Sequence, residues 1–506
     1  MQRTAPAPDG PTAPAAYRRR VLVRLAGELG TKSTRTRRRF LAILLANTRR
    51  ALHAAGVPAR VVHGWSRIWV DTPEPAAARQ ALASVFGVQA AVEVLEVPFA
   101  GLDELVAALA PLYREAVRGR TFGVQPRRLG TASVPPHDVA VALGAALLGD
   151  SAGVDLDHPQ VEVPVLVGDG FAYTRCAQTE GPGGLPLGSG GRALGLLSGG
   201  FDSPVAAWHV MRRGVELDLL HFDLGGSGEV DAALLVAREL TRRWAPGNRV
   251  TVHVVELAPL VAALRERCPG KLRQLLLKRA MYRAAGQLAR ELEVEAIVTG
   301  EAIAQVSTQT LRSLAVCEAA AGVPVLRPLV GMDKTDIIAR AAAIGTREAS
   351  ERVQELCSIA DGKVVTWPAR GSVEAAEAEM AGAGDSEWIA SLLAKRQTFD
   401  LRAWQPPALR LSETPDGDVE LAEIPEGAVV VDVREPYEGP PVGDLQLPYT
   451  GALERLDLLD GGRQYVLVCP AGQRSRRLAG ELRERGFAAW SLRGGLRRLP
   501  RTGGET

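Results

Sequence analysis

Cysteine and histidine are both scarce in this chain. Five cysteines are scattered through 506 residues and form no disulfide framework, which fits a reducing compartment and hence the cytoplasm. The seven histidines are dispersed, and no Cys/His pair has zinc spacing, so no structural metal is expected. No apolar run approaches the about 18 residues that a membrane span needs, so no membrane partner is expected. The opening M-Q-R-T-A-P-A-P-D-G-P-T-A-P has no hydrophobic stretch. It reads as a disordered Pro/Ala tail over residues 1–17, not as a signal peptide. No internal repeat is present. The rest is globular in composition, 46% apolar and 23% charged, with length for roughly three or four domains.

Acidic residues are almost absent from one region. Residues 17–60 hold twelve Lys/Arg and one acid, Glu28, although the whole chain has a net charge of only +2. The centre of the run is Lys32-Ser33-Thr34-Arg35-Thr36-Arg37-Arg38-Arg39, ahead of an amphipathic helix from about Phe40 to Ala55. A solvated helix face is the usual fate of such a run. This one is too lopsided, because like charges repel unless an anion neutralises them. Nucleic-acid phosphate is the natural partner, with Lys32, Arg35, Arg37, Arg38 and Arg39 as its candidate contacts.

The most informative stretch is L-G-L-L-S-G-G-F-D-S-P at Leu194–Pro204. An apolar strand empties into Ser198-Gly199-Gly200, then a polar turn, Asp202-Ser203, and Pro204 opens an amphipathic helix. The glycines allow positive φ and close approach to a ligand. Free N–H groups and the positive dipole end of the helix face the same spot. The strand's carboxyl end is where open α/β sheets bind ligands. The features together make a phosphate site, but not a Walker A loop, since no Gly-Lys-Ser/Thr follows.

Four units follow from the patterning. Residues 18–75 read as a small α+β layer. Residues 76–185 mix helices with strands near Ala91–Val97, Thr121–Pro126 and Val161–Val167. The Gly/Pro-dense E-G-P-G-G-L-P-L-G-S-G-G-R at Glu180–Arg192 marks a boundary. Residues 186–395 alternate strands (Leu194–Leu197, Leu217–Phe222, Arg249–Val255, Ala296–Thr299, near Val325–Leu329) with helices, which predicts a parallel doubly wound sheet. Residues 396–418 read as linker. Residues 419–506 carry strands Ala428–Val433, Tyr465–Cys469 and Ala488–Leu492, with a helix after Arg474.

Several motifs, in order, resemble the tRNA 4-thiouridine synthetases (tRNA sulfurtransferases), in the form with a C-terminal rhodanese domain. They are G-E-L-G-T-K-S at Gly27–Ser33, Q-P-R-R at Gln125–Arg128, S-G-G-F-D-S-P at Ser198–Pro204, L-L-K-R-A-M-Y-R-A-A at Leu276–Ala285, T-G-E-A-I-A-Q-V-S-T-Q-T-L at Thr299–Leu311, L-R-P-L-V-G-M-D-K at Leu326–Lys334, E-L-C at Glu355–Cys357 and C-P-A-G-Q-R-S-R at Cys469–Arg476. The resemblance implies α/β and α+β domains in series: a ferredoxin-like domain (18–75), a THUMP RNA-binding domain (76–185), a Rossmann-like ATP pyrophosphatase (PP-loop) domain (186–395) and a rhodanese domain (419–506). It also implies residue roles. Leu196 and Leu197 would lie beneath the nucleotide, and Ser198, Gly199, Gly200 and Ser203 would cradle the β,γ-phosphates of ATP. Asp202 would hold Mg²⁺ and serve catalysis. Lys278 would reach a phosphate, Gly300 would let the nucleotide approach, and Gln309 would read adenine or substrate. Arg127 and Arg128 would join the basic run in holding tRNA. Asp333 and Lys334 match a D-K pair that either serves catalysis or charge organisation or is a surface ion pair.

Cys469 ends an apolar strand and starts a loop into a helix. Such a loop aims N–H groups at the sulfur and stabilises a thiolate or persulfide. The alternative for a cysteine after a strand is core. Asp432-Val433-Arg434 resembles a rhodanese strand end, but G-P-P-V-G-D-L-Q stands where Gly-His-Ile is usual. Cys176, Cys268 and Cys317 match no motif and read as structural. The implied reaction adenylates the C4 oxygen of uridine eight in tRNA, and sulfur carried on Cys469 then displaces AMP. Cys357 would form a disulfide with Cys469, to be reopened by a reductant. A cysteine desulfurase as donor, sulfur transfer to a thiazole sulfur-carrier protein for thiamine, and dimerisation are implied as well. Two other classes compete: an ATP-dependent ligase or amidotransferase sharing the loop, such as an NAD or GMP synthetase, and a non-catalytic RNA-binding module. The first has no need of the basic run or of Cys469, and the second none of Ser198–Ser203.

Overall fold

The computed structural model describes residues 17–64, 67–224, 229–268, 270–306, 308–351, 365–381, 385–406, 419–434, 440–449, 452–470 and 472–498. Cys357 lies outside these residues, as do nearly all of the expected N-terminal tail and 407–418. The chain divides into two compact units. The first comprises the residues up to Phe222, Ala233–Val255 and Ala263–Trp404; the second comprises Asp223–Ala232, Glu256–Ala262 and Gln405 onward. Among the described residues no helix is long and apolar enough to cross a membrane.

The first unit opens with eight strands: β1 (Arg18–Leu25), β2 (Arg60–Gly64), β3 (Arg67–Asp71), β4 (Val88–Pro98), β5 (Thr121–Arg128), β6 (Gly153–Val154), β7 (Val161–Val167) and β8 (Phe171–Glu180). They form one sheet in the order β2-β3-β1-β4-β8-β7-β5-β6. The alternation along β1 explains its two faces. Val21 and Val23 pack beneath the helix Thr34–Ala54, with Leu44 and Leu52. Leu22 faces the other way, into a small cluster with Trp69, Val92, Val94 and Tyr173. Helices therefore cover one face of this mixed sheet, in which β5 pairs parallel with β6 and β7, and leave the other face open.

The expected division at 75/76 falls inside a single core. Ala78 and Leu82, on the helix Pro75–Leu82, pack with Val21 and Leu44, and β4 pairs with both β1 and β8. Strand β8 was not foreseen. Opposite Glu93 and Val94 its register skips Cys176, a bulge that keeps Arg175 and Gln178 on the same open face.

The stretch Glu180–Arg192 is a fixed strap rather than a loose linker. Gly183 N donates to Val88 O at 2.8 Å, Leu185 N to Arg212 O at 3.0 Å and Gly188 N to Gly214 O at 2.8 Å. A Cβ on Gly184 would stand 2.2 Å from Arg212 O, so the glycines permit close packing and not freedom. Phe86 joins the two sides of the strap by stacking on Trp244 with ring centroids 5.6 Å apart, while Trp208 meets Trp244 edge-on at 5.5 Å.

Beyond the strap lie β9 (Arg192–Leu196), β10 (Glu216–Asp223), β11 (Thr251–Glu256), β12 (Ala296–Val298), β13 (Val325–Leu326) and β14 (Gln397–Asp400), in the order β13-β12-β9-β10-β11-β14. The pairings of β9 with β10 and β12, and of β12 with β13, are parallel, as the alternating pattern predicts. The order turns back at β9, the switch point where such sheets bind ligands. Residues 396–418 were expected to be linker, but they begin with β14, which pairs antiparallel with β11. Its four residues, Q-T-F-D, are too short and polar to stand out.

The second unit holds β15 (Glu420–Leu421), β16 (Val429–Asp432), β17 (Leu445–Gln446), β18 (Gln464–Val468) and β19 (Ala488–Leu492) in a parallel sheet ordered β15-β19-β18-β16-β17. Its core gathers Val431, Val433, Leu467, Leu478 and Leu482, so the helix Gln473–Glu484 packs on the sheet with its apolar stripe inward.

Candidate functional site

Strand β9 runs out at Leu196, and the chain turns at Gly199 with φ +80°, before the helix Asp202–Met211. Two serines close the turn: Ser203 Oγ accepts from Ser198 N at 3.1 Å and lies 3.3 Å from Ser198 Oγ. The amides of Gly199, Gly200 and Phe201 donate to no other group among the described residues. Three unspent donors on a tight turn at a helix start are a cradle for phosphate oxygens. Ser350 Oγ donates to Gly200 O at 3.2 Å and steadies the turn from behind.

Leu197 is more committed than expected. Its N–H donates to Leu220 O at 2.8 Å, and its carbonyl lies 2.9 Å from His221 Nδ1, so its N–H is spent in the sheet and not left for adenine or ribose. Gly300 also acts differently. A Cβ there would stand 2.8 Å from both Asp202 C and Ser203 N, so the missing side chain makes room for the loop's own backbone.

Asp202 is the centre of charge at the loop. Lys334 Nζ donates to Oδ1 at 2.8 Å and to Oδ2 at 3.0 Å, and Gln305 Nε2 donates to Oδ2 at 2.8 Å. Lys334 pairs with the phosphate loop, whereas Asp333 is exposed. A carboxylate has about four lone-pair positions, so one remains open on Oδ1. Mg²⁺ is commonly held by one or two carboxylates plus substrate phosphates, so Asp202 fits as its single protein ligand. Among the described residues no larger group of His, Cys, Asp or Glu could hold a metal.

Lys278 points to a partner that the sequence did not reveal. Its Nζ donates to Glu301 Oε1 at 3.0 Å. Glu301 is buried, and its Oε2 accepts from Tyr282 Oη and from Arg327 Nε at 3.1 Å. Burial alone would raise the Glu301 carboxyl. The charge of Lys278, the Tyr282 hydrogen bond and Arg327 outweigh it and hold the carboxyl below its ordinary value. Because Gly300 touches the loop, this network braces the loop from the neighbouring strand. Glu301→Ala would leave the largely buried Lys278 without its acid and Arg327 with Glu318 alone, and we expect a loss of about 3 kcal/mol of stability, read by urea unfolding. Wild-type stability in that variant would show that water already screens the network. Thr308 and Gln309 are buried, and Thr308 Oγ1 and Gln309 Oε1 have no partner within the protein. Such atoms are normally satisfied, so they suit a bound ligand or water.

The open face of the first sheet is a basic cleft of about 590 Å³ lined by Arg24, Arg37, Arg67, Arg127 and Arg175. Arg175 pairs with Glu162, but Arg24, Arg67 and Arg127 have no acidic partner among the described residues. Burial, and then the like charges of Arg127 and Arg24, lower the pKa of Arg67 below its ordinary value. The contacts expected from sequence fare unevenly. Arg37 and Arg127 line the cleft, while Arg128 falls on the opposite face of β5 by strand alternation. Arg39 donates to Ser189 O at 3.1 Å and ties its helix to the strap. Lys32, Arg35 and Arg38 lie on or beside that helix and do not line the cleft. Part of the charge excess is matched internally, since Arg18, Arg19 and Arg20 pair with Asp71, Glu93 and Glu96. Arg24, Arg67 and Arg175 were missed because they come from three separate strands.

In the second unit Cys469 follows β18 directly and is 2% exposed. Gly472 N donates to its Sγ at 3.2 Å, and Ser475 Oγ lies 3.4 Å away. Gly472 has φ +86°, and a Cβ on it would crowd Gly494 N at 3.1 Å. The loop thus directs an amide and a hydroxyl at the sulfur, whereas burial pushes the thiols of Cys176 and Cys317 up to about 11 and raises that of Cys268. The departing segment after Asp432-Val433-Arg434 is held by that motif. Val442 N donates to Asp432 Oδ2 at 2.9 Å, and Arg434 Nη2 donates to Asp432 Oδ2 at 2.6 Å and to Pro440 O at 2.7 Å.

Comparison with known proteins agrees with this arrangement. The thiamine biosynthesis protein (ThiI) family matches residues 188–381, and the ThiI ferredoxin-like domain matches residues 20–91. A tRNA sulfurtransferase of Desulfurococcus amylolyticus is 38% identical, over 94% of this chain and 97% of that protein. One of Marinobacter nauticus is 34% identical, over 92% of this chain and 98% of that protein. The crystal structure of a 4-thiouridine synthetase–RNA complex with bound ATP superposes with a TM-score of 0.66 at 28% identity, covering 76% of this chain and 99% of that one. With a phosphate cradle at the sheet's switch point and a relative this similar along nearly the whole length, the chain belongs to the tRNA sulfurtransferase (ThiI) family.

Proposed function

We propose that this protein transfers sulfur to uridine eight of tRNA, giving 4-thiouridine, at the expense of ATP. The observation that carries the reading is the Ser198–Ser203 cradle, whose three amides have no acceptor among the described residues, in the same compact unit as a basic cleft whose central arginines have no acidic partner among them. A ligase sharing the loop gains nothing from the cleft, and an RNA-binding module gains nothing from the cradle.

The loop amides and Ser203 hold the β,γ-phosphates, and Lys334 and Gln305 fix Asp202 at their edge. Asp202 would hold Mg²⁺, whose charge would neutralise that of the phosphates. The uridine C4 oxygen attacks the α-phosphorus and pyrophosphate leaves, which turns a poor leaving group into AMP. Cys469, loaded as a persulfide by a cysteine desulfurase, supplies sulfur, either directly or as released sulfide, to C4, and AMP departs. Reducing the sulfane sulfur takes two electrons. Cys357 and Cys469 provide them by closing to a disulfide, which an external dithiol reductant reopens. The same persulfide serves a sulfur-carrier protein in thiazole formation, consistent with the family's thiamine biosynthesis description. Mass analysis of tRNA from a strain lacking the gene tests the reading: 4-thiouridine should vanish and return with the wild-type gene. Undiminished 4-thiouridine would overturn it.

The cleft gives a second test. Arg67→Glu combined with Arg127→Glu should weaken tRNA binding and reduce the salt slope by about 1.4–1.8, from about 0.7–0.9 for each of two lost phosphate contacts. ATP binding should be unchanged. A slope equal to wild type would remove the cleft from the RNA path.

A further inference from the structure

Trp367 is 71% exposed, a large aromatic side chain left in water. It is not loosely held. Val365 N donates to Lys271 O at 3.3 Å, Thr366 O accepts from Thr310 Oγ1 at 2.8 Å, and Pro368 O accepts from Arg312 Nε at 2.7 Å. The chain is pinned on both sides of the indole. The Arg312 guanidinium lies 5.6 Å from the ring centroid and has no acidic partner among the described residues. One face of the indole therefore rests on an unneutralised cation while the ring stays open to solvent.

The surroundings give this display a context. Thr310 and Arg312 directly continue the Gly300–Gln309 segment that packs on the phosphate loop. That segment exposes apolar side chains of its own, Ile303 at 44% and Val306 at 49%, and Leu311 just beyond it is 68% exposed. Leaving an indole in water forgoes a large burial gain, and apolar groups gathered in this way mark a contact surface. An aromatic ring on a free guanidinium offers stacking area together with positive charge. An unpaired nucleotide presents the complement, a flat base and a phosphate.

We infer that Trp367, backed by Arg312, is a stacking platform for an unpaired base of the RNA substrate beside the adenylation site. This rests on the reading that tRNA is the substrate and extends it to a positioning residue in the nucleotide-binding domain, apart from the basic cleft. Neither residue touches the reacting atoms, so the effect is on binding and placement of the RNA.

The test measures binding of an unmodified tRNA transcript to the full chain for wild type, Trp367→Phe, Trp367→Leu and Trp367→Ala. Stacking is a property of the ring, so Trp367→Phe should stay within about threefold of wild type, while Trp367→Leu and Trp367→Ala weaken binding by about 5- to 100-fold. ATP affinity and thermal unfolding should be the same in all four, because the side chain is exposed. Fluorescence quenched by tRNA in wild type should be smaller in Trp367→Phe. Wild-type binding by Trp367→Leu, or equal losses in Phe and Leu, would overturn the platform and leave the tRNA reading intact. Failure of the wild-type chain to bind tRNA would overturn both.

Discussion

Asp202→Ala should lower tRNA-dependent pyrophosphate release by more than about 100-fold, the scale on which a preorganised charge at a reacting phosphate acts, and leave Cys469 able to carry sulfur. The carboxylate is the one acid on the loop, and it organises two other groups. Without it, Lys334 and Gln305 lose the anchor that holds them 2.8 Å away at the cradle's edge. Lys334 is 40% exposed along its side chain, so water can solvate the freed ammonium and the fold survives. Asp202→Asn separates the two effects. An amide keeps an oxygen for Gln305 but gives up the negative charge, so near-complete loss in Asn as well as Ala assigns the effect to charge. Sulfur loading is the control, because Cys469 lies in the other compact unit. Full thiolation by Asp202→Ala would remove the loop from the chemistry.

The phosphate cradle was legible in the sequence because local chemistry dictates it. Gly199 supplies a positive φ, Ser203 answers Ser198 five residues back, and a helix must start where Pro204 allows it. Lys278 stood out in the sequence as a candidate to reach a phosphate, but its partner in the structure did not stand out. Glu301 lies 23 residues away on another element, and no spacing rule links a helix lysine to the end of a strand. The glycines of the strap mark a boundary in the sequence, but their packing role was not legible: Gly184 and Gly188 sit where a neighbour's carbonyl or carboxylate leaves no room for a Cβ. The basic cleft was half visible. A run of arginines suggests an anion partner, but the face each one takes depends on strand alternation and on a bulge at Cys176. Arg128 fell away by alternation, Arg39 because it ties its helix to Ser189 O, and Lys32, Arg35 and Arg38 do not line the cleft, while Arg24, Arg67 and Arg175 came in. A two-residue strand such as β17 or a four-residue strand such as β14 carries too little pattern to be read at all.

Cys469→Ser should abolish thiolation and sulfur relay alike, while ATP-dependent pyrophosphate release persists. The substitution is nearly isosteric, so Gly472 N and Ser475 Oγ can bond to the new hydroxyl and the buried loop keeps its form. What is lost is the sulfur chemistry, since an alkoxide is not available at neutral pH and cannot hold sulfane sulfur. The other described thiols cannot stand in: burial disfavours their thiolates, with Cys176 and Cys317 pushed up to about 11. Cys357→Ala should behave differently. It should leave persulfide on Cys469 after treatment with a desulfurase and cysteine, yet stop sustained turnover, because its proposed role comes after sulfur leaves Cys469. After one turnover without reductant, peptide mapping of the wild-type chain should find Cys357 joined to Cys469. Free thiols at both positions with product formed would remove Cys357 from the cycle. Ser475→Ala offers a graded version of the same test. It removes one hydrogen bond to the sulfur, and losing a bond to a charged group costs about 1.5–3 kcal/mol. Persulfide loading should therefore slow by about 10- to 100-fold and not vanish, and unchanged loading would show that the Gly472 amide alone holds the anion.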